Sequence, residues 1–175
     1  MRIEKKYLIR EDGKCYPTEA LLQIYASVDC LKNDVLNSGR KIKHGYLPIE
    51  KGIEIADKLK LPIRFKPTEA GLRDNEGKLF LTSKGDGDLS ELKLEERVNK
   101  EIFDEAWPLT EGKRIEKVKL VIPYDIYKAE IDVYTDRDLI LAKIEVPTEE
   151  EAQKLVPLGF DVTADRKYKN KNLAK

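Results

Sequence analysis

The chain has 175 residues, 41% of them hydrophobic, with 33 basic and 33 acidic side chains and no formal net charge. That length and apolar share suit one folded domain with a substantial core and exclude a disordered chain. The zero balance excludes a simple polybasic nucleic-acid binder, and no apolar run is long enough to span a bilayer.

The first six residues, Met1-Arg2-Ile3-Glu4-Lys5-Lys6, are charged and lack an apolar signal region, so a cytoplasmic protein is expected. Residues 3–9 alternate and predict a strand. Residues 18–25 and 27–37 predict a helical pair, with Ser27 as N-cap and Ser38-Gly39 as the stop. Cys15 and Cys30 lack a CxxC spacing, and with His44 as the only histidine they make no zinc site; two free thiols are expected. Residues 41–47 return to a strand, and 48–60 form a short amphipathic helix stopped by Pro62.

A hairpin over residues 72–84 turns at Asp74-Asn75-Glu76-Gly77, and Gly85-Asp86-Gly87-Asp88 gives a second turn into a strand over 91–98. Residues 101–107 predict a short helix in which Phe103 and Trp107 share one side and read as core packing. Strands follow at 114–122, 127–134 and 139–146, and Thr148 with Glu151 forms a capping box for a helix ending near Leu155. The tail, 167–175, is polar and basic. No repeat or linker divides the chain, so residues 1–175 are expected to form a single α+β domain dominated by an antiparallel sheet.

The chemistry lies in the strand pattern. Charges fall at every second position in Glu91, Lys93, Glu95 and Arg97, in Lys117 and Lys119, in Glu130 and Asp132, and in Lys143 and Glu145. Period two puts each set on one face, with Val118, Leu120, Ile131, Val133, Ile140 and Ile144 on the other. Any sheet with a wet side shows one apolar and one charged face. A face so wholly ionic, with both signs on neighbouring strands, is explained by a closed barrel whose polar side points inward. Bases there would take phosphate oxygens, and acids would hold Mg²⁺ or Mn²⁺.

Short segments in fixed order carry a family resemblance. Ile3-Glu4-Lys5-Lys6-Tyr7-Leu8-Ile9 is similar to an ExExK strand, and Lys43-His44-Gly45-Tyr46-Leu47 to a QGYL strand. Leu72-Arg73 with Leu79-Phe80-Leu81-Thr82-Ser83-Lys84-Gly85 resembles an RLR…FLTxKG hairpin. Ile115-Glu116-Lys117-Val118-Lys119 resembles IEKxR, and Glu130-Ile131-Asp132-Val133-Tyr134 resembles EVDVY. Residues 161–174 are close to VTxDxRYxNxxLA. Together they resemble the CYTH, or triphosphate tunnel, superfamily, which includes class IV adenylate cyclases, thiamine triphosphatases and inorganic triphosphatases.

The resemblance implies a closed antiparallel β-barrel with helices packed outside, which binds a linear triphosphate or polyphosphate as a small-molecule partner. By position, Lys6, Arg73, Lys84, Lys117, Lys119 and Arg166 are expected to hold phosphate. Glu4, Glu130, Asp132 and Glu145 are expected to face a divalent Mg or Mn ion, with Glu4 and Lys6 at the catalytic centre. The sequence also departs from the family. Arg2 stands where the first Glu of ExExK belongs, Gly71 replaces the first Arg of RLR, and Lys143 replaces the first Glu of the late acidic pair. Glu91, Lys93 and Arg97 sit where the family places Arg, Glu and Glu. The exchanges add positive charge and remove carboxylates, which disfavours a divalent ion.

Three readings follow: metal-dependent hydrolysis, metal-poor anion binding, and a relic barrel acting as a non-catalytic anion-binding or scaffold module. His44 is expected to be structural or superficial rather than a general base. The basic tail reads as a solvated face or a lid over the tunnel mouth rather than a nucleic-acid contact. There is no GxxxxGK[ST] and no GxGxxG, so a P-loop or Rossmann site is unsupported.

Overall fold

The computed structural model describes residues 2–86 and 91–174, with the backbone alone at 86, 91 and 92. The chain opens with β1 (Ile3–Glu11), β2 (Lys14–Cys15), α1 (Glu19–Ile24), α2 (Val28–Ser38) and β3 (Arg40–Leu47). There follow α3 (Ile49–Lys58), β4 (Pro67–Asn75), β5 (Lys78–Asp86), β6 (Glu91–Arg97) and α4 (Lys100–Ala106). The rest holds β7 (Arg114–Tyr124), β8 (Tyr127–Tyr134), β9 (Leu139–Val146), α5 (Glu149–Lys154), β10 (Phe160–Asp161) and α6 (Asn170–Leu173).

Local chemistry sets these ends. The Ser27 hydroxyl accepts from the Cys30 amide at 3.1 Å and caps α2, as its sequence position predicts. Thr148 caps α5 by accepting from the Glu151 amide at 3.2 Å, while its own hydroxyl donates to the Glu151 carboxylate. The β4–β5 hairpin turns on Glu76 and Gly77, both with positive φ, and the Asp74 carboxylate accepts from the Gly77 amide at 2.7 Å. That hairpin begins earlier than the sequence pattern indicates, at Pro67, because Glu69, Ala70 and Gly71 carry little strand propensity of their own. Of the second expected turn, Gly85 and Asp86 lie in β5, while Gly87 and Asp88 lie outside the described residues.

The chain divides into two compact units, Met1–Lys41 with Glu116–Tyr168, and Ile42–Ile115 with Lys169–Lys175. In the first unit the strand order is β10-β1-β9-β8-β7, antiparallel throughout, with β2 paired to β1. Its core joins the apolar sheet face, including Tyr7, Ile131, Ile140 and Ile144, to Leu21 of α1, Leu31 and Val35 of α2, and Ala152 of α5. In the second unit the order is β3-β4-β5-β6, again antiparallel. Leu72 and Leu81 of its sheet pack with Ile55 and Ala56 of α3 and with Phe103 of α4. Phe103 and Trp107 stack at 5.1 Å between ring centres, the core pair that their spacing predicts.

The α+β class and the antiparallel sheets agree with the sequence pattern. The expected closed barrel is not confirmed: among the described residues the sheet is not closed by hydrogen bonds. No helix among the described residues is long and apolar enough to cross a membrane.

The apolar face is expected to carry the stability of the first unit. Ile131 has no solvent exposure, and Ile131→Ala should cost about 2–5 kcal/mol through lost burial and a residual cavity. Urea unfolding followed by circular dichroism measures it; a midpoint unchanged from the wild type would contradict this packing.

Candidate functional site

Register decides which side chains meet. In the first unit Glu4 lies opposite Glu145 and Lys6 opposite Lys143, while Lys143 also faces Glu130, and Lys119 faces Asp132. Glu4 with Glu145 and Lys6 with Lys143 are like pairs, which repel, and the ion pairs run diagonally across strands or, for Lys6 and Glu4, along β1. Lys119 Nζ lies 3.0 Å from Glu130 Oε2, and Arg2 Nη1 lies 3.2 Å from Glu145 Oε2. Lys6 Nζ is 3.7 Å from Glu4 Oε1 and donates to the Tyr168 carbonyl at 3.1 Å. All of these oppose the apolar core side of the same sheet.

The centre of this face is Asp132, which has no solvent exposure. Its Oδ2 takes Lys117 Nζ at 2.8 Å and Lys143 Nζ at 3.1 Å, whereas its Oδ1 is buried with no hydrogen-bond partner. Two ammonium groups thus share one carboxylate. Burial alone would raise the Asp132 pKa, but Lys117, Lys143 and Lys119 outweigh it and hold the carboxyl below its usual range. Lys117 goes the other way: burial, with repulsion from Lys143 and Lys119, overcomes the pull of Asp132 and pushes it down to about 7. Burial also opposes the charge on Lys143, but Asp132, Tyr134 and Glu4 raise its pKa above the ordinary lysine value. Lys117 further sits 5.5 Å from the centre of the Tyr134 ring.

The second unit carries its own charged face on β4, β5 and β6, where Arg73, Phe80 and Arg97 are in register. The two guanidinium carbons lie 5.2 and 5.4 Å from the Phe80 ring centre, and Arg73 also pairs with Glu95. Lys84 Nζ is 3.6 Å from Glu69, whose other oxygen is 3.6 Å from Lys171 of α6. Thr82 lies opposite Gly71 and Glu95, and the side chain of Glu91 lies outside those described.

His44 is buried rather than superficial, with its ring stacked on Tyr46 at 4.6 Å and its Nε2 3.3 Å from Thr82 Oγ1. Gly71 makes this place available. A Cβ there would come within 2.6 Å of His44 Nε2 and 2.9 Å of the Gly45 carbonyl, so no larger residue fits without moving the imidazole. The absence of an arginine at position 71 is therefore tied to where the histidine sits. Neither the role of Lys143 on Asp132 nor the His44–Thr82 contact was singled out from the sequence. Strand parity allowed both, but the partners follow only from register.

Among the expected phosphate binders, Lys6, Lys117 and Lys119 share the first face, and Arg73 and Lys84 share the second. Arg166 lies on a short 3₁₀ turn, exposed to solvent. The expected metal acids Glu4, Glu130, Asp132 and Glu145 are also gathered on the first face, yet each is held by a base. Among the described residues no three His, Cys, Asp or Glu side chains converge as a metal-binding group. A divalent ion about 4 Å from one fixed ammonium would feel a repulsion of about 8 kcal/mol at an effective dielectric of about 20. As arranged, these residues do not fit Mg²⁺ or Mn²⁺.

Comparison with known proteins decides the family. The chain is 36% identical over 113 residues to the inorganic triphosphatase of Nitrosomonas europaea, an overlap of 61% of this chain and 74% of that protein. It belongs to the CYTH, or triphosphate tunnel, family. No model of a known protein family matches it. The CYTH fold is seen again in a crystal structure of an inorganic triphosphatase, 24% identical, with a TM-score of 0.60 over 99% of this chain and 94% of that one. A Bacillus halodurans protein described as a candidate adenylate cyclase, 12% identical, gives a TM-score of 0.51 over 95% of this chain and 97% of that one. In this CYTH protein the Lys117–Asp132–Lys143 cluster is buried among the charged side chains of the first unit.

That cluster has consequences for stability. Asp132→Asn strands the buried Lys143 ammonium without its counterion and should cost about 3–5 kcal/mol in urea unfolding at pH 7. Lys117 adds a pH dependence. Between about 7 and its ordinary 10.5 the unfolded chain binds the Lys117 proton more than the folded one, so this group makes stability rise with pH across that window. Urea midpoints at pH 7, 8 and 9 should show the rise in the wild type and a smaller one in Lys117→Met.

Proposed function

We propose that the charged sheet faces line a closed β-barrel that binds a linear triphosphate, inorganic or carried on an organic group. The observation that carries this reading is the gathering of Lys6, Lys117 and Lys119 on one ionic face opposed to an apolar core. The second unit adds a further ionic face bearing Arg73 and Lys84. Ammonium and guanidinium groups make short, charge-assisted hydrogen bonds to phosphate oxygens, and Arg73 offers a planar fork for two of them. Arg166, exposed on its turn, is proposed to meet the outer end of the same anion. Likeness to an inorganic triphosphatase supports a small-molecule phosphoanhydride as ligand; that residues 1–175 act as one domain in the cytoplasm is part of the same proposal.

Hydrolysis of the terminal phosphoanhydride is the activity that family membership leads us to propose. Within this chain the bases bind and orient the phosphates, and Glu4 beside Lys6 is the pair proposed to act nearest the reacting phosphoryl group. Glu4, Glu130, Asp132 and Glu145, the acids expected to face Mg²⁺ or Mn²⁺, are already paired with bases in this chain. The bases already seated on those acids favour a second reading, a tunnel protein that binds the anion without turning it over.

Lys119→Ala and Lys84→Ala should each weaken binding of inorganic tripolyphosphate about tenfold or more, the loss of one charge-assisted contact worth about 1.5–3 kcal/mol. Titration calorimetry reads the affinity, and phosphate release from tripolyphosphate with and without Mn²⁺ separates the enzyme from the binding module. Unchanged affinity in both variants would remove these faces from the site.

A further inference from the structure

The acids of the first face have their cations built in, and that bears on the form in which a polyphosphate would enter. Asp132 is wholly buried, with the ammonium groups of Lys117 and Lys143 at 2.8 and 3.1 Å on a single oxygen. When Lys117 is protonated, two positive charges therefore meet one negative charge where water cannot reach, an arrangement short of one anion. The surrounding charges are Lys119 with Glu130, Lys6 with Glu4, and Arg2 with Glu145.

Exposure is distributed unevenly among these pairs. The lysines lie low, with side chains 11% exposed at Lys143, 17% at Lys119 and 13% at Lys6. The acids beside them stand half in water, 44% exposed at Glu130, 46% at Glu4 and 50% at Glu145. Exposed ion pairs are weak and exchange partners readily. An entering phosphate oxygen can thus displace a loosely held carboxylate and take its lysine, while Asp132 stays in place as the anchor.

We infer that this chain takes its polyphosphate as the metal-free anion, with the Lys143 ammonium and the Arg2 guanidinium supplying the countercharge that a divalent ion would otherwise bring. The inference rests on the reading of the face as a triphosphate site. A phosphate chain already chelated by Mg²⁺ presents fewer unneutralised oxygens and carries a dication toward four lysines and an arginine. The free polyanion instead satisfies the surplus charge at Asp132. Lys6 and Lys143 are direct cross-strand partners on β1 and β9, with Lys119 and Lys117 reached across β8, so the ammonium groups span four adjacent strands. That row suits an extended ligand with repeating negative charge.

Calorimetry with the full chain and inorganic tripolyphosphate tests this. In EDTA the affinity should be at least about tenfold higher than with Mg²⁺ in excess over the polyphosphate. Equal or tighter binding in Mg²⁺ overturns the inference. No binding in either buffer overturns instead the triphosphate reading beneath it. Lys143→Met keeps Lys117 on Asp132, and its melting curve shows whether the fold is retained. Its affinity in EDTA should fall about tenfold or more, and the difference between the two buffers should shrink. A folded variant with wild-type affinity in EDTA would assign the countercharge elsewhere and overturn the role given to Lys143.

Discussion

Asp132 imposes the constraint to which the first unit is fitted. A carboxylate with no solvent exposure is stable in its charged form only when its partners are equally fixed, and here they are ammonium groups from the strands on either side. That requirement ties β7, β8 and β9 together in one register. A shift of a single residue would bring Ile131 or Val133 to the charged side and carry Asp132 into the apolar core. The core and the ionic face therefore specify the same alignment from opposite sides of the sheet. The unsatisfied Oδ1 is the remaining cost of this arrangement.

The same constraint bears on the chemistry. Carboxylates that serve as internal counterions hold lysines in place, and they cannot at the same time offer their oxygens to a dication without giving those lysines up. In the first unit the four acids are paired with lysine and arginine side chains, and among the described residues they do not converge as a metal-binding group. The second unit shows a comparable local adjustment. With no side chain at Gly71, the His44 ring lies over β4 and reaches Thr82 on β5, while Arg73 and Arg97 flank Phe80. In both units a substitution that looks like a loss in the sequence has a partner side chain that makes use of the changed space or charge.

Much of this was legible in the chain itself. Period-two alternation determined the strands 127–134 and 139–146 to the residue, and Ser27 and Thr148 determined where α2 and α5 begin, because these signals are local and a few neighbouring residues suffice to produce them. The order of short segments, from Glu4-Lys5-Lys6 to the residues around Tyr168, was enough to indicate the family. Parity also placed Lys117, Lys119, Glu130, Asp132, Lys143 and Glu145 on one side. Tertiary structure alone decided the pairings among them: that Asp132 is shared by two lysines, that Arg2 sits on Glu145, and that His44 is buried beside Gly71. Such pairings join residues far apart in the chain, and they depend on which strands lie side by side and in what register. Strand propensity says nothing about either, since it is a property of neighbours along the backbone, while the energy of a buried charge is set by neighbours across the sheet.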